Sequence, residues 1–220
     1  MKFDWAEGWP QFLEAFGTTV YIVAIAMGVG GVIGLVLGLA LYTTRRGGLF
    51  ANNAVFTVLN LLVNFIRPIP FVIFLTAVGP VTILLTGSRI GTDAFIVPAA
   101  IMASFATSRI VEQNLVALDP GMIEAARSMG ASPMRIIRTV VIPEALAPLI
   151  LGYTFIFVAV VDMSALAGLV GGGGLGDFAL TQGYQRFDWA VTWITVLVIV
   201  VLVQAVQFVG NSLARKVLTR

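Results

Sequence analysis

The chain has 220 residues, of which 59% are hydrophobic and only 11% are charged. Soluble domains carry about a quarter charged residues, so this composition is typical of a membrane protein. The sequence contains no cysteine and no histidine, which excludes disulfide frameworks, thiolate zinc sites and histidine acid/base chemistry. The net charge of only +2 gives no reason to expect a nucleic-acid partner.

Long uncharged stretches between the charged residues predict the membrane spans, since a membrane helix needs about 20 apolar residues. We predict an all-α membrane protein, a single domain over residues 1–220, with five transmembrane helices at about 17–42, 64–85, 92–115, 147–170 and 190–213. Arg67, Pro68 and Pro70 interrupt the second span. The segment before it, 52–64, is therefore expected to lie in the membrane interface and to lead into a span that starts near Arg67.

The basic residues predict the orientation. Eight of them fall on one side of a five-span arrangement, namely Arg45, Arg46, Arg127, Arg135, Arg138, Arg215, Lys216 and Arg220. Since basic residues accumulate on the cytoplasmic side, the N-terminus is expected outside and the C-terminus in the cytoplasm. The first residues carry three acids against Lys2, unlike a cleaved signal peptide, so we expect the first span to be retained.

The first span carries Gly30, Gly34 and Gly38 at four-residue spacing. Small residues at this spacing allow two membrane helices to approach closely. Two interpretations remain open, close packing within one subunit or packing between two copies of the chain.

The loop at 119–143 is polar but has the pattern of two short helices. Asp119 and Pro120 form a typical N-cap and first-turn pair, and Gly130 is suited to end the helix that follows. One apolar stripe at i, i+3, i+4 and i+7 is formed by Met122, Ala125, Ala126 and Met129. A helix this short is not stable alone, so its stripe is expected to rest on the membrane surface or against a partner. A second helix is predicted from Ser132, with Pro143 breaking the chain before the next span.

The same loop resembles the "EAA" loop of bacterial ABC importer permeases, the membrane subunits of binding-protein-dependent importers. Glu124, Ala125 and Ala126 are followed after three residues by Gly130, and after nine more by Val140, Ile142 and Pro143. Only Val140 for Ile and Ile142 for Leu depart from that pattern. Three further segments are similar to methionine ABC importer permeases in particular: 64–71 (NFIRPIPF), 142–147 (IPEALA) and 164–176 (SALAGLVGGGGLG).

The resemblance implies a type I ABC importer permease fold in the bacterial inner membrane, and several partners. It implies a second copy of the chain, two ATP-binding subunits, an extracytoplasmic substrate-binding protein, membrane lipid and a small amino-acid substrate. ATP and magnesium would bind the partner ATPase, with no cofactor and no catalytic residue in this chain. The expected contacts to the ATPase are Met122, Glu124, Ala125, Ala126, Arg127, Met129 and Gly130, and those to the binding protein are Asp177, Arg186 and Asp188.

The chain itself has no phosphate-binding loop, because its only lysines are Lys2 and Lys216 and neither follows the required glycine pattern. The run Gly171–Gly176 satisfies GxGxxG formally, but it follows a membrane helix rather than a strand. We interpret it as a sharp turn outside the fourth span.

Charged residues inside the spans are the remaining candidates for function. Burying the Asp162 carboxylate costs roughly 2.5 to 3.5 kcal/mol at the centre of a membrane helix, so it is expected to face a cavity or a partner. Either Asp162, with Met163 and Ser164, lines the substrate path, or Asp162 is satisfied by Arg89, Arg186 or a backbone amide. In methionine permeases a Gly-Tyr pair often occupies the positions of Asp162 and Met163.

Two more charged positions lie near the inner ends of spans. Arg67 is expected either to extend its side chain to the cytoplasmic boundary or to have a role like that of Asp162. Arg109 and Glu112 are three residues apart, which predicts an ion pair on one helix face.

The sequence therefore predicts the permease of an ATP-driven importer for methionine or another amino acid or amino-acid derivative. Two alternatives belong to other classes: an ion-coupled secondary transporter that uses Asp162, and a scaffold that transports nothing.

Overall fold

A computed structural model describes residues 3–218, and within that range the chain is helical, without β-strands. The helices are α1 (Trp5–Thr44), α2 (Asn53–Ile66), α3 (Phe71–Ala77), α4 (Gly79–Thr86), α5 (Thr92–Val116), α6 (Pro120–Ser128), α7 (Pro133–Ile136), α8 (Ile142–Ser164), α9 (Leu175–Phe178) and α10 (Trp189–Leu218). Short π-helical segments lie at Ile137–Val141 and Ala179–Tyr184, and a 3-10 turn at Ala167–Val170. Within residues 3–218, four helical stretches are long and apolar enough to cross a membrane, and a bent pair would make a fifth span.

The first, third and fifth predicted spans correspond to α1, α5 and α10. The α5 helix differs from the predicted 92–115 by one residue, whereas α1 begins twelve residues before the predicted 17 and α10 extends five residues beyond 213. Both extensions are helical because capping and helix-forming residues continue past the apolar stretch. Asp4, for example, caps α1 by accepting from the backbone N–H of Ala6.

The second span is not the single helix predicted at 64–85. The α2 helix occupies the preceding segment and is capped by the Asn52 side chain, and it is joined to α3 through a bend of 110°. The bend contains Pro68 and Pro70, which lack the backbone N–H that would continue the helix. α3 and α4 are then only seven and eight residues long. The span is therefore broken by its two prolines.

The fourth span begins earlier than predicted, because Pro143 does not break the chain. The π-helical segment Ile137–Val141 leads directly into α8, and Pro143 lies in the first turn of α8. A proline in the first turn needs no N–H partner, and the wider π turn before it changes the backbone pairing that a proline would otherwise disrupt. From Pro133 to Ser164 the chain forms one 32-residue helical stretch.

The α5 helix lies at the centre of the bundle and packs along α1. Gly30, Gly34 and Gly38 face α5 so closely that a β-carbon on Gly34 would lie 2.5 Å from the Cβ of Thr107. A β-carbon on Gly38 would lie 2.6 Å from the backbone oxygen of Ser108. The glycines therefore serve packing within the subunit, the first of the two interpretations left open by their spacing.

The start of α1 and the start of α10 lie at the same end of the molecule. Phe12 on α1 packs with Phe178 and Val191 in one cluster, and the backbone N–H of Phe3 donates to Asp188 at 2.8 Å. Four tryptophans, at 5, 9, 189 and 193, lie in the first turns of these two helices. Aromatic residues at this level are typical of a membrane boundary.

Candidate functional site

The loop at 119–143 contains the short helix α6 in the form that the sequence predicts. The Asp119 side chain accepts from the backbone N–H of Gly121 at 2.9 Å, and Pro120 occupies the first turn. Gly130 has φ +77, a backbone conformation that residues other than glycine rarely adopt. Cap, proline and glycine together fix both ends of a helix of nine residues.

The two faces of α6 have different surroundings. Ala126 is only 4% exposed and packs, with Ile123, in a cluster that contains Leu115 of α5 and Val141. Met129 is 81% exposed. The predicted stripe is therefore divided, because Ala126 faces the chain's own core, Met122 is half-buried, and the exposed surface carries Glu124, Ala125, Arg127, Met129 and Gly130.

The side of α6 next to α1 is tied to the loop that follows α1. The Arg127 guanidinium donates to the backbone oxygen of Gly48 at 3.3 Å, and Arg45 stacks on the Tyr42 ring with its Cζ 4.5 Å from the ring centroid. A cavity of about 100 Å³ lies between this loop and α6, and both Glu124 and Arg127 line it. Arg127 is thus partly engaged inside the chain, whereas the Glu124 carboxylate has no bonding partner among residues 3–218.

Asp162 lies in the last turn of α8, on a face that the rest of the chain leaves uncovered. Glu144, Leu151, Phe155 and Asp162 are all exposed, and their spacing of 7, 4 and 7 residues places them on one side of the helix. Within the described part of the chain, no hydrogen bond or ion pair involves the Asp162 carboxylate. The suggested partners Arg89 and Arg186, and the glycine-loop amides, do not bind it in this structure.

The two neighbours of Asp162 point elsewhere. Met163 is half-buried against the core cluster that contains Val160 and Phe95. Ser164 is 3% exposed, and its hydroxyl donates to the backbone oxygen of Val161 at 2.6 Å. Of the three residues predicted for the substrate path, only Asp162 has a free polar group on the uncovered face.

Asp177, Arg186 and Asp188 lie at the end of the molecule where α1 and α10 begin, and their surroundings differ. Asp177 lines a cavity of about 180 Å³ that also receives Gln11, Glu14, Thr18 and Thr181. Arg186 is exposed. Asp188 accepts from the backbone N–H groups of Phe3, Ala190 and Val191 and so caps α10.

A polar cluster within the bundle contains two residues that sequence reasoning missed. Arg109 forms the predicted ion pair with Glu112, at 2.5 Å, and it also donates to the side-chain oxygens of Asn60, at 3.0 Å, and Asn64. The Asn64 amide donates in turn to Asn60 at 3.3 Å. Two asparagines four residues apart on an apolar helix were the available signal, since polar residues in membrane helices need partners.

A family model of the binding-protein-dependent transport system inner membrane component matches residues 30–219. A probable D-methionine transport system permease of Vibrio cholerae, MetI, is 44% identical over 93% of this chain and 91% of its own length. The corresponding protein of Pasteurella multocida is 39% identical over 94% of this chain and 97% of its own length. A methionine import system permease of Bacillus subtilis, MetP, is 38% identical over 78% of this chain and 77% of its own length.

Solved structures agree with these sequence matches. A chain of the MetNI methionine ABC transporter, in an inward-facing conformation, superposes with a TM-score of 0.89 at 37% identity, over 93% of this chain and 95% of that one. A chain of an amino-acid ABC transporter solved with histidines has a TM-score of 0.80 at 21% identity, over 98% of this chain and all of that one, and supports the fold alone. With its coupling-type loop, its helical spans and these matches, the chain belongs to the family of binding-protein-dependent transport system inner membrane components, the permeases of ABC importers.

Proposed function

We propose that this chain forms the membrane path of an ATP-driven importer for methionine or a closely related amino acid. The relatives from Vibrio cholerae and Bacillus subtilis are both named for methionine transport, and the MetNI chain shares 37% of its residues with this one. Hydrolysis of ATP belongs to a separate subunit in this family, so the chain is a transport component rather than an enzyme.

The observation that carries this proposal is the construction of α6. It is capped at both ends and docked on the core through Ala126, and it leaves Met129 and Glu124 free on its outer surface. A rigid short helix with an uncovered Met and Glu surface is suited to enter a groove on a partner, where Met fits irregular surfaces well. We assign the ATPase contact to Met122, Glu124, Ala125, Met129 and Gly130, with Ala126 supporting the helix from below and Arg127 fixing it to Gly48.

The charge distribution supports one orientation. Basic residues at 45, 46, 127, 135 and 138 lie around α6 and the end of α1, and by the positive-inside rule we infer that this end faces the cytoplasm. Two copies of the chain would then enclose the substrate path between them, with an ATPase below each copy.

The uncovered face of α8 is the part of the chain that we assign to the path. A carboxylate without a partner is costly against lipid but stable against water or a cationic ligand. Asp162 would therefore face the passage between the two copies and meet the α-ammonium group of the substrate, while Met163 and Ser164 hold the end of α8 in place.

The outer end would receive the substrate-binding protein. Asp177 and Arg186 offer opposite charges to such a partner, and Asp188 keeps the start of α10 in register with residue 3. Membrane lipid would cover the apolar surface of α10, because only 11% of its most apolar 18-residue stretch is buried within the chain.

Transport would proceed by alternating access. ATP binding draws the two ATPases together, the two α6 helices follow, and α8, which continues from the same loop, changes its tilt between outward-open and inward-open arrangements. The binding protein releases the substrate into the outward-open path, and hydrolysis returns the path to the inward-open arrangement.

The proposal is tested by uptake into proteoliposomes that contain the permease, its ATPase and the binding protein. We expect methionine accumulation that requires ATP and the ATPase subunit. Accumulation driven by a proton or sodium gradient without the ATPase would instead support the secondary transporter. No accumulation of any amino acid under either condition would favour the scaffold.

A further inference from the structure

Arg67 lies at the break between α2 and α3, and its position along the membrane can be read from its neighbours. Ile66, which precedes it, packs in the cluster that contains Ile101 and Phe105 of α5. These two residues lie near the middle of the 25-residue α5. Arg67 also follows the 14 residues of α2, about 21 Å of helix beyond Asn52. The arginine is therefore deep within a hydrocarbon layer of about 30 Å.

At this depth the Arg67 side chain does not reach the cytoplasmic boundary, which was one of the two positions expected for it. Long basic side chains reach the interface from positions near helix ends at the boundary, whereas the cytoplasmic end of α2 is about four turns away. Arg67 is exposed on the protomer, and among residues 3–218 its guanidinium has no hydrogen-bond or ion-pair partner.

The side of α2 on which Arg67 lies is polar. Asn60, Asn64 and Arg67 are spaced at i, i+4 and i+7, which places them on one side of the helix, since Arg67 keeps helical backbone angles. The opposite side carries Phe65, which is 75% exposed, and Val58, which is 64% exposed. A membrane helix with one polar and one apolar side presents the polar side to protein or water and the apolar side to lipid.

Arg109 shows what a structural arginine looks like in the same region. Its guanidinium is shared among Glu112, Asn60 and Asn64, so three of its five N–H donors are used within the chain. Arg67, one turn beyond Asn64, has all its donors free. Arg109 of α5 binds the two asparagines of α2, and Arg67 follows them on the same side of α2, but among the described residues only Arg109 has side-chain partners.

We propose that Arg67 lines the substrate path at the broken second span and binds the α-carboxylate of the passing amino acid. A guanidinium has a planar set of donors that matches a carboxylate in two hydrogen bonds. Asp162, a free acid in the last turn of α8 on its uncovered face, would take the ammonium group, so the path offers separate partners for the two charges of a zwitterion. This inference rests on the proposed function, because it requires an amino-acid substrate.

The test uses the absence of cysteine from the sequence. Arg67→Cys introduces a single thiol into the permease, and Phe65→Cys provides a matched thiol two residues earlier on the apolar side. Both variants are assembled with the ATPase in proteoliposomes and treated with a water-soluble maleimide. We expect rapid labelling at position 67 and little at position 65. Equal labelling at both positions, or none at position 67, would overturn the assignment to the path.

Ligand protection then tests the carboxylate. To keep the carboxylate partner in place, this experiment uses Asn64→Cys, an exposed position one turn before Arg67 on the same side of α2. Methionine and other α-amino acids are expected to slow labelling of this thiol, whereas 3-(methylthio)propylamine, which lacks the carboxylate, is expected to leave the rate unchanged. Protection by the amine equal to that by methionine, or protection by no amino acid, would refute the carboxylate site.

Uptake kinetics keep this inference separate from the proposed function. Arg67→Gln is expected to raise the KM for uptake on the order of tenfold with the amount of folded permease unchanged, and Arg67→Lys to retain more of the affinity. An unchanged KM in Arg67→Gln would contradict the inference while leaving the importer intact. Failure of the proposed function would be seen differently, as wild-type vesicles that accumulate no amino acid with ATP.

Discussion

Arg109 and Asp162 are both charged residues within membrane helices, but Arg109 is bonded to other side chains of the chain and Asp162 is not. Arg109 has three side-chain partners on two helices, and Glu112, with which it pairs, is 8% exposed. Asp162 is exposed and has no partner among the described residues. The first charge is used to join α2 to α5, and the second is left available for something outside the protomer.

The difference teaches how to separate structural from functional charges in a membrane protein. A buried ion pair that is fully hydrogen-bonded resists change because either partner alone would be a buried, uncompensated charge. A charge without a partner contributes little to folding and remains only where water, a ligand or another subunit meets it. Substitutions at the two positions should therefore affect different measurements.

The largest effect is expected from Arg109→Leu. The substitution leaves the Glu112 carboxylate buried without its partner and removes the donor to both asparagines, so we expect a loss of roughly 3 to 5 kcal/mol in the free energy of unfolding. The yield of monodisperse permease after detergent extraction and its melting temperature measure this loss. The control is Arg138→Leu, which changes an exposed arginine in the loop at 119–143 and should have the melting temperature of the wild type. A wild-type melting temperature for Arg109→Leu would show that Arg109 is not needed for folding, and Arg109 would then not differ from Asp162 in this respect.

The second prediction extends the comparison to Glu124, the free charge on α6 that we propose contacts the ATPase. Glu124→Lys alters an exposed side chain and should leave the permease folded, yet it should abolish ATP-driven uptake because it reverses the charge on the docking surface of α6. Gly130→Asp, at a position with φ +77, should have the same outcome. The matched control is Glu7→Lys, the same charge reversal on an exposed residue at the other end of α1. Uptake at the wild-type rate in Glu124→Lys would show that this surface does not couple to the ATPase.

A smaller effect is expected from Asp162→Asn. The melting temperature should stay unchanged, because no contact within the chain is lost, while uptake should fall roughly three- to tenfold, equivalent to about 1 kcal/mol of a solvated charge contact. Initial rates over a range of methionine and other amino-acid concentrations provide the measurement. Kinetics identical to wild type for every substrate would exclude Asp162 from the path.

The smallest effect is expected from Asn60→Leu. Arg109 keeps Glu112 and Asn64 in this variant. The two hydrogen bonds lost are those that Asn60 accepts from Arg109 and, at 3.3 Å, from the Asn64 amide, so the loss should be about 1 kcal/mol. Thermal melting in detergent would detect it as a shift well below that of Arg109→Leu. A loss as large as that of Arg109→Leu would mean that the cluster depends on Asn60 rather than on the arginine.

Features with local causes could be predicted from the sequence. The ends of α6 follow from Asp119, Pro120 and Gly130, each of which acts on its own backbone or on that of residues one or two positions away. The ion pair of Arg109 and Glu112 also lies within one turn of a helix. In each case the interacting groups are close in sequence, so spacing alone identifies them.

Features that depend on distant packing could not be predicted in the same way. Spacing does not reveal that Ala126 packs under α6, or that Asn60 and Asn64 reach Arg109, about 45 residues away. Apolar length gave no reason to divide the second span into α2, α3 and α4, although Pro68 and Pro70 marked the place of the break. Pro143 was expected to break the chain, but a π-helical segment just before it allows the helix to continue.

The central claim is that α6 couples this permease to a separate ATPase through its exposed surface. Because the chain has no cysteine, Met129→Cys places a single thiol on that surface, and Ala126→Cys places one at a position that packs against the chain's own core. In the assembled transporter, a short bifunctional cross-linker should join position 129 to the ATPase subunit, leave position 126 unlinked, and stop ATP-driven uptake when the link forms. An assembled transporter that gives no cross-link from position 129, or an equal one from position 126, would contradict the account.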